Sequence, residues 1–228
     1  MNMRKALFVS AALLIGLPAA ADSVKHNFQT SAARGDVRRV VVDIPAGDVA
    51  IRNGASDRIA VSGWVSRDPD SERSREKEQR IADDISVEVS VKKDEATVRR
   101  HFGPQAQGWR AGMFTNYHVT IDVPRGVDVD VLTKYGDVTV DGSFGDFDVD
   151  LRAGDIDLRM PKKDIRQLNA SARVGDVHAR FGEDVVQREG VFTGTTRYAN
   201  PNGKTVVNVH VTAGDVNVTL TQDAPSHE

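Results

Sequence analysis

The sequence contains no cysteine. That excludes disulfides, thiolate metal sites, cysteine nucleophiles and attachment of a lipid to an N-terminal cysteine. Aromatic residues make up only 6% of the chain, few for stacking platforms that hold sugars or bases. A basic footprint is missing too, because 33 acidic residues outweigh 30 basic ones, which argues against nucleic acid as a partner. Beyond the N-terminus no apolar run approaches the roughly 20 residues of a membrane-spanning helix.

The N-terminus does carry one shorter apolar run. Arg4 and Lys5 precede the stretch from Ala6 to Leu17, Pro18 breaks it, and Ala19-Ala20-Ala21 supplies a small-x-small cleavage pattern. Residues 1–21 therefore read as a signal peptide, removed on export to the periplasm or cell surface. Its removal leaves 28 basic residues against 33 acidic ones, a net charge of −5. Residues 22–228 read as a single β-repeat domain, with two organisational halves meeting near 103–115 (the Gly- and Pro-containing loop around Trp109).

From Val40 onward the dominant period is two. Val40, Val42 and Ile44 alternate with polar residues, as do Ile85 to Val91, Tyr117 to Val123, Val127 to Val131, Phe147 to Leu151, Val207 to Val211 and Val216 to Leu220. Valine-rich alternation predicts strands with one buried and one wet face, hence an all-β fold. One segment departs from it. Residues 69–84 are charged and rich in helix formers, with Asp70 or Ser71 available to cap them, and predict a short helical connector.

The informative feature is Gly-Asp followed by an alternating strand. It occurs at Gly47-Asp48, Gly136-Asp137, Gly145-Asp146, Gly154-Asp155, Gly175-Asp176 and Gly214-Asp215. The steps from 136 to 154 and from 154 to 175 are 18 and 21 residues, and 175 to 214 is 39, close to two such steps. A period near twenty in a chain of short strands predicts stacked units, each too small to bury its own apolar face. Glycine would supply the positive φ at each corner, and aspartate would accept hydrogen bonds from turn amides. The alternative architecture is a β-sandwich, which also spaces short strands regularly.

Strands punctuated in this way, as in KYGDVTVDG, RAGDIDLRM, RVGDVHARF and TAGDVNVTL, resemble a bacterial family of exported β-strand-repeat domains regarded as candidate adhesins. That family is related to auto-transporter adhesin-like head domains. The resemblance spans about Val40 to Leu220 and is strongest from Gly126. It implies a β-solenoid or β-helix-like fold in the cell envelope and brings no catalytic residues.

Calcium is the sharpest small-molecule reading. Gly136, Gly145 and Gly154 are nine apart, as in calcium-binding β-rolls, and ten aspartates crowd residues 122–157. Asp137, Asp146, Asp148, Asp155 and Asp157 are the candidate ligands. Against them, β-rolls place aspartate two residues after glycine, whereas here it follows directly, and alternating aspartates are the ordinary wet face of a strand. The histidines lack zinc-site spacing, and no G-x-S-x-G elbow is present. Gly203-Lys204-Thr205 lacks the glycine a phosphate-binding loop needs five residues earlier, where Tyr198 stands. No cofactor and no catalytic residue are expected. Two functional classes follow: a non-catalytic envelope protein for adhesion, scaffolding or sensing, or a protein that binds or acts on polysaccharide. Trp109, Tyr135 and the aspartate rows are the candidate contact residues for an envelope protein or polysaccharide partner.

Overall fold

The computed structural model describes residues 23–106, 115–181, 184–186 and 194–222. The predicted signal peptide and Trp109 lie outside these residues. In chain order the strands are β1 (Val24–Ala33), β2 (Arg39–Asp43), β3 (Asp48–Asn53), β4 (Arg58–Arg67), β5 (Ile85–Lys92) and β6 (Glu95–Phe102). There follow β7 (Thr115–Val123), β8 (Asp128–Tyr135), β9 (Val138–Asp141), β10 (Phe147–Ala153), β11 (Ile156–Pro161) and β12 (Ile165–Val174). The last are β13 (Val177–Phe181), β14 (Asp184–Val186), β15 (Gly194–Ala199), β16 (Thr205–Ala213) and β17 (Val216–Thr221). One helix, α1 (Arg75–Asp83), follows a 3-10 turn at Glu72–Ser74 inside the predicted helical segment.

The strands form two sheets. One runs β1-β4-β7-β3-β9-β11-β17-β13-β14 and the other β15-β12-β16-β10-β8-β2-β6-β5. From β7 to β13 in the first, and from β12 to β6 in the second, every neighbouring pair is parallel. Each rung is one strand of the eight-stranded sheet, a sharp corner, and one strand of the nine-stranded sheet: β2–β3, β8–β9, β10–β11, β12–β13 and β16–β17. The fold is therefore an open, two-sided β-solenoid rather than an antiparallel sandwich.

Alternation builds the core between the sheets. Val138, Val140, Ile156, Leu158, Val177, Ala179, Val216 and Val218 all point inward and are at most 3% exposed. Each large side chain buried this way contributes about 1.5–3 kcal/mol relative to exposure. One cluster runs continuously from Val37 to Leu220, through strands on both sides of residues 103–115.

Spatial order departs from chain order at two places. β6 and β7 follow β2–β3 in the chain but lie on its outer side, away from β8–β9. The β16–β17 rung inserts between β10–β11 and β12–β13. The 39-residue interval from Gly175 to Gly214 is thus not two further solenoid steps. The chain leaves after β13, forms β14 and β15 as antiparallel borders, and returns inside the stack.

Both ends are bordered by antiparallel strands, a common way of keeping parallel ladders from recruiting further chains. At one end β1 pairs with β4 over ten residues, β4 with β7, and β5 with β6. Here α1 packs a second cluster of Val24, Val65, Ala82, Ile85, Ala106 and Tyr117. Arg67, buried in β4, pairs with Glu78 of the helix at 2.7 Å and fixes it over that end. The charged segment closes the stack as well as connecting two strands.

Candidate functional site

Five of the six Gly-Asp pairs align on one narrow edge. The rung order there brings Gly47, Gly136, Gly154, Gly214 and Gly175 into one column, all with φ between 113° and 137°. A Cβ on Gly136, Gly154, Gly214 or Gly175 would collide with the carbonyl oxygen of the neighbouring glycine. No other residue fits both the dihedral and the contact.

The aspartates form a second column. Asp137 N donates to Asp48 Oδ1 at 3.2 Å, Asp155 N to Asp137 Oδ1 at 3.0 Å, Asp215 N to Asp155 Oδ1 at 2.8 Å and Asp176 N to Asp215 Oδ1 at 2.8 Å. Each carboxylate thus satisfies the corner amide of the next rung, a charge-assisted bond. Oδ1 of Asp48, Asp137, Asp155 and Asp215 therefore faces the backbone of the next rung.

Gly145-Asp146 lies elsewhere. It starts β10 on the opposite edge, where Asp146 N donates to Asp128 Oδ1 and Asp146 Oδ1 accepts from Val206 N, both at 2.8 Å. The nine-residue spacing therefore alternates between two edges. The five candidate metal ligands separate accordingly. Asp137 and Asp155 line one edge, Asp146 the other, Asp148 the outside of the eight-stranded sheet and Asp157 the outside of the nine-stranded sheet. Among the described residues no three histidine, aspartate or glutamate side chains converge to hold a metal ion.

The outer face of the eight-stranded sheet carries the most developed polar arrangement. The ladder register aligns Asp130, Asp148, Asn208 and Asn169 in one row, and Leu132, Asp150, His210 and Ser171 in the next. Asn208 Nδ2 donates to Asp148 Oδ1 at 2.7 Å, and Asn169 Nδ2 to Asn208 Oδ1 at 2.9 Å. Arg39 pairs with Asp130. Partial burial pushes the Asp130 carboxyl above the usual aspartate range, with Asp148 and Asp128 adding to it and Arg39 pulling the other way. These rows line an open trough of about 450 Å³, in which Leu132 is 51% exposed.

Ser171 Oγ lies 3.0 Å from His210 Nδ1, with Asp150 level on the other side of the histidine. This resembles a nucleophile, base and carboxylate in line, yet it lacks two parts of that machinery. Among the described residues no carboxylate is bonded to His210. The surrounding backbone amides are committed to parallel ladders, which leaves no oxyanion hole. The arrangement suits hydrogen bonding to a partner rather than acyl transfer. Of this face the sequence offers only the aspartate rows; Leu132, Asn169, Ser171, Asn208 and His210 join them only through strand register.

Tyr135, a candidate contact residue, stands 56% exposed beside the glycine column. The residue preceding each corner glycine forms a stripe there: Ala46, Tyr135, Ala153, Ala213 and Val174, the last 64% exposed.

An open β-solenoid with a column of Gly-Asp corners defines the class of this protein. Within it, residues 128–219 match the Toastrack DUF4097 family model. The matched segment runs from β8 into β17 and takes in the four rungs that follow residue 127; β2–β3, with the same corner, lies outside it and stacks in register. The structure is similar to that of a candidate cell adhesion protein from Clostridium sporogenes, with a TM-score of 0.51 and 11% identity, over 86% of this chain and 100% of that one. Candidate adhesins from Parabacteroides distasonis (TM-score 0.29, 11% identity, 85% of this chain, 70% of that one) and Bacteroides fragilis (0.29, 8%, 85% and 97%) align more loosely. No curated protein matches the sequence.

Proposed function

We propose that this chain is a non-catalytic protein of the cell envelope that uses the outer face of its eight-stranded sheet as a contact surface for adhesion, scaffolding or sensing. The observation that carries the reading is the pair of rows Asp130–Asp148–Asn208–Asn169 and Leu132–Asp150–His210–Ser171, which present hydrogen-bonding groups along an open trough. A repeating flat face of this kind suits an extended partner. The basic, apolar and small-residue order of residues 4–21 supports export. The fold shared with a candidate cell adhesion protein points the same way.

Two measurements test it. Protease treatment of intact cells, compared with cells whose envelope has been opened, reports location; cleavage only after lysis of the cytoplasm would end the envelope reading. Sedimentation of purified protein with isolated envelopes reports contact. The double variant Leu132→Glu, Asn208→Glu, folded by circular dichroism, should sediment far less; unchanged sedimentation would remove this face from the proposal. Titrating calcium against EDTA in thermal melts addresses the metal reading, because a specifically bound ion raises Tm with its concentration.

A further inference from the structure

We propose that the same face binds an anionic polysaccharide, with Lys134, Arg152 and Arg173 holding its charged groups and Tyr135 packing against a sugar ring. The inference rests on the reading of that face as a contact surface and names its ligand class.

The register places Lys134 of β8 level with Arg152 of β10, and Arg173 of β12 level with Thr212 of β16, which is itself level with Arg152. All three cations point outward and are exposed. Among the described residues none pairs with a carboxylate, although Asp43 and Asp150 line the same 300 Å³ hollow as Lys134 and Arg152. This differs from Arg39 and Arg52, which are matched to Asp130 and Asp122 on neighbouring strands. Like charges directly opposite one another on adjacent strands destabilise a sheet. The fold gains nothing visible from Lys134 beside Arg152, and a ligand that brings negative charge would account for it.

The neighbourhood selects the kind of anion. The cations form a straight line across the strands, spaced by one and then two strand widths of about 4.8 Å. That line suits a chain lying along the stack, with charged groups at repeating intervals. On one side runs the apolar stripe with the Tyr135 ring. On the other lie Asp150, Asn208 and Asn169, donors and acceptors suited to hydroxyl groups. An acidic peptide would leave the hydroxyl-binding row unused.

The test is calorimetric titration of the purified protein with oligomers of alginate, a polyuronate, in EDTA to exclude calcium bridging. Neutral dextran and poly-glutamate serve as comparisons. Saturable alginate binding is expected, weakened by salt, with neither comparison matching it. The triple variant Lys134→Ala, Arg152→Ala, Arg173→Ala should lose about tenfold or more in affinity, and Tyr135→Ala several-fold, with both variants melting like the parent. Absence of alginate binding, equal binding of poly-glutamate, or a triple variant within twofold of the parent would each overturn the inference. If the triple variant binds envelopes normally while Leu132→Glu, Asn208→Glu does not, the contact face stands and only the ligand class falls. If both variants sediment like the parent, the face itself falls.

Discussion

The two narrow edges of the solenoid solve the same problem in different ways. On one edge, five corners repeat a glycine with positive φ followed by an aspartate, and four of the aspartates accept from the amide of the next rung. On the other, the chain enters and leaves the stack through segments of different composition, such as PRGV before β8, DGSFGD before β10 and PKKD before β12. Among the described residues only Asp128 and Asp146 carry over the carboxylate-to-amide bond there. The uniform edge is a place where every rung passes straight from one sheet to the other. The variable edge must accommodate caps, excursions and the out-of-order rung, so no single motif serves it.

The largest effect that would sharpen this contrast is expected at the centre of the glycine column. Gly154→Ala forces a Cβ into the Gly136 carbonyl at φ 134°. It should cost at least about 3 kcal/mol, since left-handed strain and overpacking add. For a domain of this size that lowers Tm by about 6–12 °C. A shift under 2 °C, by differential scanning calorimetry, would show that the edge relaxes and that the column is not rigid.

The aspartate column should rank next. Asp155→Ala removes the acceptor for Asp215 N and should cost about 1–2 kcal/mol in urea unfolding. Asp155→Asn keeps an acceptor oxygen and should recover most of that loss. Equal loss in both variants would mean that charge, rather than the hydrogen bond, holds the rungs together.

How much of this was legible in the sequence follows from the same contrast. The corner motif is local, so Gly136, Gly154, Gly175 and Gly214 stand out without any knowledge of pairing. Strands with a clean buried face, such as β8, β10 and β17, declare themselves by valine alternation. β1 does not: VKHNFQTSAA interrupts Val24, Phe28 and Ala32 on one face with His26 and Thr30, and it borders the sheet rather than lying inside it. The rung order was hidden for a deeper reason. Gly214 stacks directly against Gly154, 60 residues away, while every rung carries nearly the same alternation. Spacing cannot tell which neighbour a strand will choose. The polar pairing on the outer face of the eight-stranded sheet was hidden likewise, because Asp148 meets Asn208, and Asn208 meets Asn169, only through that choice.

A glycine on the variable edge offers a milder comparison. Gly126 has φ 72°, yet a Cβ there would meet nothing within 4 Å. Gly126→Ala should therefore cost only the left-handed strain, about 1–2 kcal/mol, less than the loss at Gly154. If the two substitutions cost the same, backbone strain alone sets the requirement for glycine, and the close packing of rungs adds nothing.

The smallest expected effect lies where the glycine column ends. A Cβ on Gly47 would strike Tyr117 of β7, so the tyrosine closes the column in place of another corner. Burial raises the Tyr117 phenol above its usual value, although the charges of Arg100 and Arg67 act in the opposite direction. A raised folded-state value means that the folded chain holds this proton more tightly than the unfolded chain. Its contribution is fully present below pH about 10, the unfolded tyrosine value, and is lost as pH rises through the folded one. Tyr117→Phe has no proton to lose. Its stability measured by urea unfolding should run parallel to that of the parent at neutral pH and fall less steeply above pH about 10. Parallel curves throughout the alkaline range would mean that the phenol ionises in the folded state as readily as in water, and that Tyr117 does not seal this end of the column.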